Sequence, residues 1–166
     1  MKKLSIILLS FFFCIGLTAC DPGRYLHFAD LVDEIVAVEL IYYDNPNAKV
    51  ISTFFSTRSV QRFNSKKMEI IEELNGDRLE DFLQDLSGIE AWTGWSHSNS
   101  PFGISLKITY SNDEFEVVSD DGVSLTFFAR YNSKGRLVMN IGGFNDRSDF
   151  ADLVNNHFET QISDSM

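Results

Sequence analysis

The stretch Phe102-Gly103-Ile104-Ser105-Leu106-Lys107-Ile108-Thr109-Tyr110-Ser111 alternates without a break. Phe102, Ile104, Leu106, Ile108 and Tyr110 share one face, and Gly103, Ser105, Lys107, Thr109 and Ser111 share the other. A period of two predicts a half-buried strand, apolar toward a core and polar toward water. Ser111-Asn112-Asp113 turns the chain into Phe115 to Ser119, Asp120-Asp121-Gly122 turns it into Val123 to Tyr131, and Asn132 to Gly135 turns it into Arg136 to Ile141. Strands joined by such tight turns predict a four-strand antiparallel meander.

Helical patterns flank this region. Asp77 to Ser87 carries Leu79, Phe82, Leu83 and Leu86 on one stripe, with Asp77 and Glu80 at capping-box spacing and Gly88 at the C-terminal end. Asn145 or Ser148 starts a last helix, with Phe150, Leu153, Val154, His157 and Phe158 along one side. Nearer the N-terminus, Phe28, Leu31, Val32 and Ile35 recur at i, i+3, i+4 and i+7, which predicts a helix over Tyr25 to Ile35. Val36 to Tyr43 then reads as a strand, Asp44-Asn45-Pro46-Asn47 as a turn, and Val50 to Phe55 as the return strand of a hairpin. Met68 to Leu74 is strand-like and ends at Asn75-Gly76; Ala91 to Pro101 reads as an irregular loop. The expected fold class is α+β: an antiparallel sheet, built from a hairpin plus the C-terminal meander, with about three helices packed on it.

The chain has 166 residues, one domain's worth, with 44% hydrophobic and 23% charged residues, so it has the composition of a folded globular protein. Acids outnumber bases 24 to 14, and that balance excludes a phosphate-backbone binder, so no nucleic-acid partner is expected. No repeat, low-complexity tract or linker interrupts residues 25–160, leaving 161–166 as a C-terminal tail.

Residues 1–20 read MKKLSIILLSFFFCIGLTAC. Lys2 and Lys3 form a basic start, and Leu4 to Leu17 is an uncharged apolar run too short for the ~20 residues of a spanning helix. Leu17-Thr18-Ala19-Cys20 closes the run and resembles the lipobox of bacterial lipoproteins. The resemblance implies that residues 1–19 are a signal peptide cut before Cys20, and that Cys20 carries a diacylglyceryl group. Two acyl chains anchor a protein stably where one holds it only marginally. Residues 20–24 would then be the lipidated Cys and a short tether, and the protein would face the extracytoplasmic side of a bacterial cell membrane. Asp21 resembles the inner-membrane retention signal of enterobacterial lipoproteins; in a cell with one membrane it has no such meaning. Cys14 leaves with the leader, so the mature domain has neither a free thiol nor a disulfide. The leader also removes two Lys and no acid, leaving 12 basic against 24 acidic side chains, net −12.

No hydrolase, zinc-protease, phosphate-loop or dinucleotide motif occurs. No catalytic, cofactor-binding or metal-ligating residue is assigned, and no cofactor is expected. His27, His97 and His157 stand apart in sequence, with His157 reading as a helix-face packing residue. Asp113, Glu114, Glu116, Asp120 and Asp121 lack calcium-loop spacing and read as solvated turn residues. The candidate binding surface is the segment Ala91 to Pro101, which holds both Trp residues: Trp92, Trp95 and His97 supply large rigid contacts and polar groups. The competing reading is that the two Trp cover the open edge of the core. Together these features describe a cell-envelope lipoprotein whose acidic domain is a binding module for an envelope protein or a small molecule. A small envelope hydrolase and an immunity- or inhibitor-type lipoprotein are the alternatives.

Overall fold

Leu106, Ile108 and Tyr110 are buried on the face that alternation assigns to the core. They belong to β5 (Gly103–Tyr110) in a computed structural model that describes residues 24–45, 62–93, 101–120, 126–146 and 148–162. The other elements are β1 (Arg24–His27), β2 (Ile35–Tyr43), β3 (Met68–Leu74), α1 (Asp77–Ser87), β4 (Glu90–Thr93), β6 (Phe115–Asp120), β7 (Thr126–Tyr131), β8 (Leu137–Ile141), β9 (Gly143–Phe144) and α2 (Ser148–His157). All pairings between these strands are antiparallel. They form a six-stranded sheet in the order β3-β2-β5-β6-β7-β8 and a three-stranded sheet in the order β1-β4-β9.

The α+β class holds, with changes in detail. The expected meander is not a sheet of four strands, because β5 continues laterally into β2 and β3 to make a sheet of six. The expected hairpin is also replaced. The residues read as its return strand, 50–55, lie outside the described residues, and β2 is paired by β3 on one side and β5 on the other.

Among the described residues there are two α-helices rather than about three. The segment read as the first helix is β1 followed by two 3-10 turns, Phe28–Asp30 and Val32–Glu34. Pairing with β4 holds the backbone extended through His27. A 3-10 turn then repeats every three residues, which still carries Phe28 and Ile35 into the core and leaves Leu31 and Val32 half-buried against it. The apolar stripe was real, and two short turns satisfy it.

One core lies on the face of the large sheet that carries Val38, Leu40, Leu106, Ile108 and Val118. Phe82 and Leu86 of α1, Phe150, Leu153 and Val154 of α2, and Ala91 and Phe144 of the small sheet close it. The opposite face is not left to water. Ile41, Tyr43, Phe115, Val117, Ala129 and Tyr131 form a second cluster there under Phe63, whose ring stacks on Tyr43 at 4.8 Å and meets Phe115 edge-on at 5.1 Å. β5 is therefore covered on both sides, and Ser105, assigned by alternation to water, is fully buried with its Oγ 2.7 Å from Ser119 Oγ.

The ends of α1 depart from the capping expectation. Gly76, not Asp77, is the N-cap, and its φ of +56° is a backbone state that L side chains rarely adopt. The Gly76 carbonyl accepts the Leu79 and Glu80 N–H groups, while Asp77 and Glu80 sit in the first turn, where negative charge suits the helix dipole. Gly88 closes the helix in a right-handed conformation, its N–H donating to the Asp85 carbonyl while the Ile89 N–H donates to the Leu86 carbonyl.

Candidate functional site

Two turns of helix shape a concavity at one end of the helical layer. The last turn of α1 and the residues after it bring Asp85, Gly88 and Ile89 to face Asp149, Asp152, Leu153 and Asn156 of α2. The groove between them holds about 240 Å³. Leu153 is buried and Ile89 half-buried, so the floor is apolar while three carboxylates stand around it.

The charges are held in different ways. Asp85 lies at the negative end of the α1 dipole, an unfavourable place for an acid. His157 Nε2 lies 2.8 Å from Asp85 Oδ2 and supplies its partner. Asp149 lies in the first turn of α2, where the dipole favours it. Burial nonetheless lifts the Asp149 carboxyl above its ordinary range, and neighbouring Asp146 and Asp152 push the same way. Asp146 caps the helix, its Oδ1 accepting from the Ser148 N–H and hydroxyl at 3.0 Å each. The groove is thus a site of concentrated negative potential over an apolar floor, an arrangement that suits a cation with an aliphatic or aromatic body.

The groove is braced from behind. Glu72 of β3 takes Arg78 of α1 on Oε1 and the Glu159 N–H on Oε2, and Arg78 also donates to the His157 carbonyl at the C-terminal end of α2. Burial disfavours the charged form of Glu72, but the Arg78 hydrogen bond and charge, with the Glu159 N–H, outweigh it and hold the carboxyl below its ordinary value. His157 packs as its helix-face position predicts, its ring edge-on to Phe82 at 5.4 Å, and it also serves Asp85. Past the helix, Ile162 exchanges backbone bonds with the Asn155 side chain.

The sequence-derived surface is only partly placed. The backbone of Trp92 lies in β4, so the segment read as a loop from Ala91 begins as a strand. Trp92 is in register with Tyr25 of β1 and Gly143 of β9. Its side chain, Trp95, His97 and Cys20 with the whole leader lie outside the described residues. His27 is half-exposed, its Nδ1 3.6 Å from Glu90 Oε1 across the β1–β4 pair.

One acid read as a solvated turn residue is the reverse. Glu116 is fully buried in β6. Arg130, its cross-strand partner in β7, donates Nε to Glu116 Oε1 at 2.8 Å and adds a second bond through Nη2. The Arg130 guanidinium lies 4.9 Å from the centre of the Tyr110 ring. The Tyr110 hydroxyl lies near the carboxylate without meeting hydrogen-bond geometry, and Glu116 Oε2 has no hydrogen-bond partner among the described residues. Burial raises the Glu116 carboxyl above its ordinary value, against the pull of Arg130; burial and Glu116 together raise the Tyr110 hydroxyl. The turn read at Asp120-Asp121-Gly122 would set Glu116 opposite Thr126; the observed register, centred two residues later, sets it opposite Arg130.

Among the described residues, no three His, Cys, Asp or Glu side chains are disposed to share a metal ion. No described helix is long and apolar enough to cross a membrane. The chain matches no protein-family model, no curated protein and no solved structure.

Proposed function

We propose that this chain is a cell-envelope lipoprotein, anchored through Cys20, whose folded domain is a binding module for a positively charged partner. The observation that supports the reading is the groove between α1 and α2, where Asp85, Asp149 and Asp152 surround the apolar pair Ile89 and Leu153. A basic side chain with an apolar stem meets both parts of such a surface. The tether agrees with this use. Residues 89 and 90 join the groove to the start of β4, while the tether enters at Arg24, opposite Thr93 at the far end of the same strand. On this reading the groove joins the end of β4 opposite to the one that pairs with Arg24. An inhibitor or immunity role would use the same face, with a basic target as its partner.

The test is site-specific photocrosslinking in intact envelopes. A photoreactive residue at Asn156, in the groove, is compared with one at Val138, exposed on β8 at the sheet edge. The expected result is an adduct from position 156 alone that is lost in Asp149→Asn/Asp152→Asn and weakened by salt. Adducts of equal yield at both positions, or indifference to the Asp substitutions, would refute the reading. Labelling with a radioactive fatty acid tests the anchor: label that disappears in Cys20→Ser is expected, and label that persists refutes it.

A further inference from the structure

The chain is strongly acidic, yet its cations are not spread evenly. Residues 62–67 and 132–136 hold Arg62, Lys66, Lys67, Lys134 and Arg136, five of its 14 Lys and Arg, and no Asp or Glu. All five are exposed. Among the described residues, none of them lies within ion-pair distance of a carboxylate, not even of Asp113 or Glu114 in the turn before β6.

The backbone holds two of these charges face to face. Arg62 is the partner of Arg136 in an antiparallel bridge just before β8. Facing residues of such a pair have Cβ atoms about 4.5–5.5 Å apart, and like charges there are destabilising. Both sides of the bridge are nonetheless fixed. The Phe63 N–H donates to the Gly135 carbonyl at 2.7 Å, and the Phe63 ring packs among Tyr43, Phe115 and Tyr131. Asn132 Oδ1 accepts the Lys134 and Arg136 N–H groups at 3.0 Å each, and the Gly135 N–H donates to the Asn132 carbonyl at 2.7 Å. Lys134 is thereby held two residues from Arg136 in an ordered turn. Two guanidinium groups kept opposite one another, without a carboxylate to share, suit an anion supplied from outside.

We propose that Arg62, Lys134 and Arg136 form a binding site for a phosphate monoester, beside the aromatic cluster that covers the large sheet opposite the helices. Arginine forks take oxyanion oxygens in pairs, and a lysine adds a point charge. A phosphate monoester carries about −1.5 to −2 charges at pH 7, so it neutralises more of the three cations than a carboxylate does. Charges farther away than the ~8 Å screening length of physiological salt weigh little, so a net charge of −10 does not forbid a local anion site. A long nucleic-acid backbone, which needs a continuous basic face, is still excluded. The monoester belongs either to a lipid headgroup or to a soluble phosphorylated molecule, and the experiment separates the two.

The test is isothermal calorimetry on the full chain in micelles of an uncharged detergent. The probes are phenyl phosphate and dihexanoyl phosphatidic acid, the latter below its own micellar concentration. Saturable binding of phenyl phosphate is expected, about tenfold weaker in Arg62→Gln/Arg136→Gln and within about twofold of the parent in Lys66→Gln/Lys67→Gln, whose side chains lie outside the bridge. Arg62→Lys/Arg136→Lys, which keeps the charge and loses the forks, is expected in between. Phenyl phosphate should raise the melting temperature of the parent and not that of the Arg→Gln pair. That pair should itself melt no lower than the parent, because it relieves a like-charge contact. Phosphatidic acid binding more tightly than phenyl phosphate supports the site and makes the source a lipid; equal affinities support it and make the source soluble. No saturable heat with either probe, or equal weakening by the Arg and the Lys pairs, overturns the proposal.

Discussion

Replacing Arg130 by Met isolates what holds Glu116 inside the sheet. The Glu116 side chain is 0% exposed, and Arg130, 21% exposed, provides both bonds to its Oε1. Removing one partner of a buried ion pair leaves an uncompensated charge and costs about 3–5 kcal/mol. The contact of the guanidinium with the Tyr110 ring adds about 0.5–1 kcal/mol, most of it already within that range. At pH 7, urea denaturation should therefore show a loss of about 3–5 kcal/mol, much of a typical domain's stability. Acid should reduce the penalty. Burial raises the Glu116 carboxyl, and without Arg130 only burial remains, so the folded state takes up a proton more readily than the unfolded chain. A group with a raised folded value contributes most stability below its ordinary value and loses it as pH rises through the raised one. The gap between Arg130→Met and the parent should thus narrow from pH 7 to pH 5. Glu116→Gln, which keeps the Oε1 acceptor and removes the charge, should flatten the pH dependence. A loss under about 1 kcal/mol at pH 7, or a gap that stays constant between the two pH values, would refute the placement of this pair in the interior.

Phe82→Ala should cost about 3–5 kcal/mol in chemical denaturation, because its ring is fully buried between α1 and the end of α2; a near-neutral result would contradict that packing. Gly135→Ala should destabilise more than Gly76→Ala: both have positive φ, worth about 1–2 kcal/mol of strain, but only at Gly135 would the new Cβ lie 2.8 Å from the Phe63 carbonyl. Equal melting temperatures for the two variants would count against the Phe63 approach. Glu72 shows the opposite pH behaviour to Glu116. Its carboxyl is lowered, so the stability it contributes is present above its ordinary value and is lost as pH falls through the lowered one. Glu72→Gln should consequently lose stability at neutral pH and differ little from the parent near pH 2; the reverse trend in acid titrations followed by circular dichroism would exclude the Arg78–Glu72 brace.

The helices were legible because each is long enough to show its period. Leu79, Phe82, Leu83 and Leu86 read as a stripe, and α1 spans the expected Asp77–Ser87. The strands of the large sheet were legible for the same reason, together with their turn residues. Asn112 and Asn132 each accept a backbone N–H from two residues ahead, as such turns require. The small sheet was hidden. β9 has two residues and β1 has four, too few for a period to show, and their pairing joins segments far apart in the chain. The second core was hidden by a polar letter, Ser105, which looks like a solvent position until Ser119 supplies its partner; on the face of the first core Glu116 looks the same until Arg130 pairs it. The groove was invisible because Asp85 and Asp149 meet only when α1 and α2 pack.

The three-stranded sheet also sets an order on assembly. Its strands join residue 25 to residue 92 and residue 91 to residue 144, so each pairing closes a long loop before it gains any contact. The meander part of the large sheet pairs neighbours in sequence and closes short ones. Non-local pairings form late, so the small sheet assembles after the meander. Until then β1 is a free strand with unpaired backbone groups, the exposed kind of edge that invites pairing with another chain. Extraction of unfinished molecules should therefore yield aggregates joined through residues 24–27 rather than through the helices.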